Sequence, residues 1–244
     1  MREPKPLYLA TWSGPRNIST ALMRSWGNRP DAFVCDEPLY AHYLHATGKR
    51  HPIAEEVIAA GETDWRKVVA WLTGPIPQGK SVFFQKHMAH HLLPSIDRGW
   101  LADVTNCFLI REPREMLTSL IKVVPDAKLE DTGLPQQVEI FNLVRRETGK
   151  IPPVLDSKDV LDDPSSMLAR LCGRLDVAFT DAMLHWPPGP RETDGVWAPH
   201  WYHQVESSTG FRPFTPKNEP VPEDYLPLLE ECDKCYAELY AQRL

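Results

Sequence analysis

A three-layer α/β/α fold around a central parallel sheet is predicted by three features of this sequence. Short apolar runs bounded by turn residues recur along the chain, helical patterns separate them, and twice a run passes through a tight loop straight into a helix. Strands that alternate with helices pair in parallel, because each crossover helix returns the chain to the same end of the sheet.

The first unit is Leu7-Tyr8-Leu9-Ala10-Thr11, closed by Ser13-Gly14-Pro15 and followed from Asn17 to Trp26 by Ile18, Ala21, Leu22 and Trp26 at helical spacing. Ile53 to Ala60 and Trp65 to Leu72 read as helices, and Ser81 to Lys86 as a compact aromatic strand. Asn106 to Arg111 is a further interior strand. After it, Pro113 stands where a first helical turn begins, and Met116, Leu117, Leu120, Ile121 and Val124 continue the helix toward Pro125. Gln136 to Thr148 forms a longer helix, Val154-Leu155 a strand, and Ser165 to Leu175 another helix. From Phe179 to Pro222 the chain turns rich in Pro, Trp, His and Gly, which predicts a long ordered loop over the sheet serving as a lid or substrate wall. One amphipathic helix closes the chain between Pro222 and Leu244. No repeat and no break in composition divides it, so residues 1–244 read as a single domain.

The 244 residues are 42% hydrophobic and 25% charged, enough to bury a sizeable core, which excludes a fibrous or disordered chain. Lys and Arg number 27 against 33 Asp and Glu, a net charge of -6, so no overall positive field draws the protein to nucleic acid or an anionic membrane. An anionic ligand must therefore be gripped by a local cluster. Five irregularly spaced Cys and no leader-like N-terminal pattern give the expectation of a cytoplasmic protein without a disulfide framework. No apolar run approaches the roughly 20 residues that span a bilayer.

Between the first strand and its helix lies Gly14-Pro15-Arg16-Asn17-Ile18-Ser19-Thr20. There the backbone N–H groups of the first turn point outward and the helix dipole favours an anion. Arg16 adds a fixed cationic fork, and the Ser19 and Thr20 hydroxyls can donate to phosphoryl oxygens. An ordinary strand-to-helix turn capped by Asn17 is the plainer reading. Gly-Lys before Ser/Thr is missing, so this is not a Walker A loop, and ATP-Mg chemistry is disfavoured. The second strand-helix unit, Arg111-Glu112-Pro113 onward, places Ser119 two turns into its helix, on the side that Arg111 can face. Its plainer reading is an Arg paired with Glu112 or Glu115.

Pro15-Arg16-Asn17-Ile18-Ser19-Thr20-Ala21-Leu22 resembles the 5'-phosphosulfate loop of the sulfotransferases, with Asn17 and Ile18 replacing the usual Ser-Gly. Arg111, Pro113 and Ser119 fall on the positions that bind the 3'-phosphate of 3'-phosphoadenosine-5'-phosphosulfate (PAPS) in that family. The resemblance implies a nucleotide-binding fold of the P-loop type. It also implies PAPS as cosubstrate, a small-molecule acceptor bearing a hydroxyl or amine, no metal, and nucleotide contacts from Gly14, Pro15, Arg16, Asn17, Ile18, Ser19, Thr20, Arg111 and Ser119.

Gln85-Lys86-His87 and the downstream Leu92-Leu93-Pro94 match the family segment whose His deprotonates the acceptor, which makes His87 the expected base, with Arg16 stabilising the leaving phosphate. Gln85 and Lys86 stand where the family has Lys-Thr. His87, His90 and His91 could instead hold Zn²⁺ if the segment were helical, and His87 could be structural; His90 and His91 otherwise read as surface residues. Asp36-Glu37-Pro38-Leu39 supplies a rival base in Glu37, since some members use Glu, and the Ala41 to Arg50 segment shapes the acceptor pocket. Trp197, Trp201, Tyr202 and His203 could line an adenine or acceptor pocket, and Arg212 with Lys217 is a loose analogue of the family's C-terminal phosphate contacts. Cys232 and Cys235 read as parts of a structural helix. A small-molecule kinase and a non-catalytic nucleotide- or sulfate-binding module are the alternative functions, and a homo-oligomer is compatible with every reading.

Overall fold

Five parallel strands in the order β2-β3-β1-β4-β5 form the centre of the computed structural model, which describes residues 5–244. The chain runs β1 (Leu7–Ser13), α1 (Ser19–Gly27), β2 (Ala32–Asp36), α2 (Tyr40–Thr47), α3 (Ala54–Ala60), α4 (Trp65–Leu72) and β3 (Val82–Met88). It continues through β4 (Thr105–Ile110), α5 (Pro113–Leu120), α6 (Leu134–Thr148), β5 (Val154–Asp156), α7 (Ser157–Asp162) and α8 (Pro164–Arg174). Two short helices, α9 (Ala198–Trp201) and α10 (His203–Glu206), interrupt the long irregular stretch before α11 (Leu226–Tyr240).

The alternation of side chains along each strand builds two cores from one sheet. Ala10, Trp12, Phe83, Phe108 and Ile110 project to one face, where Val68 and Leu72 of α4 and Ile140, Phe141 and Val144 of α6 cover them. Leu9, Val34, Phe84, Cys107 and Leu109 project to the other, under Leu22, Met23 and Trp26 of α1 and Met167, Leu168 and Leu171 of α8. Each fully buried Leu or Phe contributes about 1.5–3 kcal/mol through removal from water. These two layers of helices establish the predicted three-layer α/β/α architecture.

Four strands coincide with the predicted runs, while β2, α2, α7, α9 and α10 are additions. α1 starts at Ser19, two residues later than the spacing predicts, and α5 ends at Leu120 before the predicted stop near Pro125. The register pairs Thr11 with Lys86, Lys86 with Asp36, and Ser13 with Leu109, so the carboxyl ends of β2, β3, β1 and β4 stand level. The residues just beyond them form one edge, the side where open α/β sheets bind ligands. Among the described residues, no helix is long and apolar enough to cross a membrane.

Candidate functional site

The loop between β1 and α1 is shaped by close packing at one end and hydrogen bonds at the other. A Cβ on Gly14 would lie 2.3 Å from the carbonyl oxygen of Thr132, so only glycine fits there. Arg16 takes a φ of 57°, which turns the chain sharply. Asn17 does not cap the helix. Its Oδ1 accepts from the Ile18 N–H at 2.8 Å and its Nδ2 donates to the Leu109 carbonyl at 3.0 Å, tying the loop to β4. Ile18 stands at the head of α1 and no side chain caps the first turn, which leaves the N–H groups at Ser19 and Thr20 directed at whatever lies beyond.

The second strand-helix unit meets this loop. Arg16 Nε donates to Ser119 Oγ at 2.9 Å, and Arg111 donates to the Arg16 carbonyl oxygen. Arg111 is also paired with Glu115 at 3.0 Å, and Glu112 caps α5 by accepting from the Glu115 N–H at 2.8 Å. Burial and the neighbouring Arg111 charge together hold the Arg16 guanidinium below its ordinary value. Two guanidiniums brought together against a single paired carboxylate, at an uncapped helix start, make a site suited to an anion. Pro15 is half-buried at the turn of this loop.

A second polar cluster lies where β2 and β3 end. Lys86, fully sealed, donates to Asp36 Oδ1 at 2.7 Å, Glu37 Oε1 at 2.6 Å and Tyr202 Oη at 2.8 Å. Glu37 has a φ of 42° and its N–H donates to the Lys86 carbonyl at 2.9 Å, so its side chain is turned out of line with β2. Its side chain keeps 12% exposure. Burial pushes the Glu37 carboxyl up and Asp36 adds to the rise, while Lys86 opposes it. The cluster is roofed by the C-terminal stretch: the Gly195 N–H donates to Asp36 Oδ2 at 3.3 Å, and the adjacent Asp194 pairs with Arg24 of α1 through contacts of 2.5 and 2.6 Å.

The structure separates His87 from its expected surroundings. Its ring stacks on Trp12 at 4.3 Å, its Nε2 lies 3.3 Å from Gln85 Oε1, and the residue is 1% exposed. Burial first, then the Lys86 charge, lowers its pKa to about 3, so it is a neutral imidazole walled in by aromatic rings. His90 and His91 are not surface residues either. His91 is buried with its ring stacked on Tyr40 at 4.6 Å, and His90 is half-buried against Tyr43. His87 lies on β3 and Ala89–His91 is a single 3-10 turn and not an α-helix, so the geometry that would aim three imidazoles at a metal does not arise. Among the described residues, no group of three His, Cys, Asp or Glu is placed to hold a metal ion.

Arg212 and Lys217 part company. Arg212 donates to the Gln204 carbonyl at 3.3 Å and to Ser207 Oγ at 3.0 Å, and it lines an open cleft of about 580 Å³ with Asp162, Asp163, Leu184 and Phe211. Lys217 instead reaches the Arg111 unit, because its N–H donates to Glu115 Oε1 at 3.3 Å. Trp197 and Tyr202 are buried and joined by a 3.1 Å hydrogen bond, whereas Trp201 and His203 are exposed. Sequence reading missed Asp36 and the Arg24–Asp194 pair, and it placed Tyr202 in a ligand pocket without its bonds to Lys86 and Asp36. Asp36 had a signal, an acidic residue closing a short apolar run immediately before Glu37; the bonds of Tyr202 and Asp194 had none, since their partners lie far away in the chain.

Comparison with known proteins places this geometry in context. A family model described as a sulfotransferase domain matches residues 7–235. Two curated proteins of Arabidopsis thaliana are similar over most of the chain. The protein named branched-chain-amino-acid aminotransferase-like protein 1 is 37% identical over 235 residues, and protein 2 of that name is 35% identical over 227. The chain spans about 40% of the length of these relatives, and their name describes the longer proteins. Among solved structures, a sulfotransferase from Alicyclobacillus acidocaldarius covers 99% of this chain and is covered to 96%, at a TM-score of 0.55 and 12% identity. A sulfotransferase domain from the Synechococcus PCC 7002 olefin synthase covers 95% of each chain at a TM-score of 0.54 and 17% identity. The domain from the curacin biosynthetic pathway covers 98% of this chain and is covered to 99%, with a TM-score of 0.54 at 14% identity. At these identities the structures speak for the fold.

Proposed function

The chain belongs to the sulfotransferase domain family, and we propose that it transfers a sulfuryl group from PAPS to a hydroxyl or amine of a small molecule, with Glu37 as the base. The observation that carries the reading is the joining of the two predicted anion sites into one, through the Arg16–Ser119 and Arg111–Arg16 hydrogen bonds. When bound, PAPS supplies an activated sulfuryl group, with adenosine 3',5'-bisphosphate as the leaving group. The α1 N-terminus, Arg16, Ser19 and Thr20 hold the 5' side and offset the charge that develops on the leaving oxygen. Arg111 and Ser119, with Lys217 brought alongside by Glu115, serve the 3'-phosphate. Gly14, Pro15, Asn17 and Ile18 shape the loop, and Arg212 faces the cleft flanked by Phe211.

Glu37 is preferred to His87 on access and on charge. It follows β2, two strands from the loop that follows β1, a separation of roughly 10 Å along the sheet edge. Its carboxyl is partly exposed and raised by burial, which moves a carboxylate toward the pKa of a working base. His87 has neither access nor a pKa in that range. Glu37 takes the acceptor's proton as the acceptor atom attacks sulfur in line with the leaving oxygen.

Calorimetric titration tests the nucleotide half of this reading. Adenosine 3',5'-bisphosphate should bind at least about tenfold more tightly than AMP, a margin appropriate to one charge-assisted phosphate contact, and Arg111→Ala should erase the difference. Equal affinity for the two nucleotides in the unaltered protein would sink it. For the catalytic half, Glu37→Gln should keep bisphosphate binding while label transfer from PAPS falls by about 100-fold or more.

A further inference from the structure

Each of the three N–H donors of Lys86 has its own acceptor, in Asp36, Glu37 and Tyr202. Tyr202 is equally saturated: its hydroxyl hydrogen goes to Asp36 Oδ2 at 2.6 Å, and its oxygen accepts from Lys86 and from Trp197 Nε1 at 3.1 Å. Asp36 Oδ2 also takes the Gly195 N–H. The outer oxygen of Glu37, Oε2, is the carboxylate oxygen in this network with no donor in hydrogen-bond reach among the described residues; His91 Nδ1 lies 3.9 Å from it.

We propose that Asp36 and Tyr202 are positioning residues for the transfer: by engaging two of the three Lys86 donors they confine the ammonium to the inner oxygen of Glu37 and leave the outer oxygen free to take a proton. The proposal rests on Glu37 being the base. Its physical content is a division of charge. The groups facing Glu37 are Asp36 from β2, Lys86 from β3, His91 from the turn after β3, Tyr40 from α2 and Tyr202 from the C-terminal stretch. Burial keeps the His91 imidazole neutral and pushes both phenols up, so neither tyrosine nor His91 carries charge near neutral pH. Lys86 and Asp36 are then the charges that act on Glu37, with opposite sign. An ammonium facing Glu37 alone would bind its carboxylate as a closed ion pair and weaken it as a base. Asp36 takes up that charge, and Tyr202 fixes Asp36 and Lys86 in place together.

The test is an infrared pH titration of the full chain, in which the protonated-carboxyl band lost in Glu37→Gln reports Glu37. In Asp36→Asn the midpoint of that band should fall by about one pH unit or more, the usual effect of an opposite charge no longer shared. Tyr202→Phe, which keeps the ring and removes only the hydroxyl, should lower it by a smaller but measurable amount. A role in folding alone would reduce the folded fraction without moving the midpoint, so an unmoved or raised midpoint overturns the proposal. Should Asp36→Asn fail to fold, Tyr202→Phe decides by the same criterion. Failure of the base assignment looks different: Glu37→Gln would then retain label transfer from PAPS while the midpoint shifts remain measurable.

Discussion

Arg24 and Asp194 meet through two short contacts with side chains only 3% and 4% exposed, and the chain depends on that pair at a distance from the chemistry. A buried ion pair is costly to assemble, but removing one member leaves the other charged and unsolvated, which typically costs about 3–5 kcal/mol. Asp194→Ala should therefore lower the unfolding free energy by about that amount in urea titrations. A loss under about 1 kcal/mol, the range of an exposed pair, would mean that water reaches Arg24. The pair also seats Gly195 on Asp36, so the same variant should loosen the roof over Glu37. At this scale the sequence was partly legible. The placing of Arg16, Arg111 and Ser119 at one sheet edge could be read because each sits at a fixed offset from a strand end, where backbone geometry decides direction. The burial of His87 could not be read, because position alone cannot reveal that its strand partner, Trp12, would stack over it.

At the scale of elements, the loop between β1 and α1 is a strand end and a helix start held at a fixed angle by Gly14. The Thr132 carbonyl, just before α6, occupies the space a side chain would need, so the loop is pinned from a segment more than a hundred residues away. Gly14→Ala must push that carbonyl or the loop aside, a displacement that in packed interiors costs about 1–3 kcal/mol. Its expected outcome is a lowered melting temperature together with weaker binding of adenosine 3',5'-bisphosphate. Normal affinity in a folded variant would show that the loop does not need this close approach. Four of the five strands could be read from their apolar runs, since interior parallel strands are apolar on both faces. β2 could not, because Ala32-Phe33-Val34-Cys35-Asp36 is short and is followed at once by Glu37-Pro38, which reads as a turn. α2 was hidden by Tyr and His at positions where an amphipathic pattern would show aliphatic residues. Both omissions fall beside Glu37, which is why the Asp36–Lys86–Tyr202 network was beyond reach: its members come from β2, β3 and the C-terminal stretch, and only the folded sheet brings them together.

For the molecule as a whole, the histidines of the β3 edge make stability fall in acid. His87 and His90 are each held near a pKa of about 3, and His91 well below its ordinary value, in every case chiefly by burial. In the unfolded chain the same groups titrate near 6.5. As pH falls below that value the unfolded state takes up protons that the folded state refuses, so stability declines through the window from about 6.5 toward 3. Each such histidine contributes a slope of about 1.4 kcal/mol per pH unit. Glu37 and Asp156 act in the opposite sense, because their raised values let the folded state bind protons that unfolded carboxylates bind only at lower pH. His90 is the most accessible of the three and no part of the proposed transfer machinery, so His90→Gln isolates one share of the effect. Between pH 5 and 6, urea titrations should show the variant's stability falling less steeply than the unaltered protein's by about 1.4 kcal/mol per pH unit. Identical slopes would mean that His90 gains its proton without unfolding, and that the cavity of about 180 Å³ on which it borders admits enough water to solvate the charge.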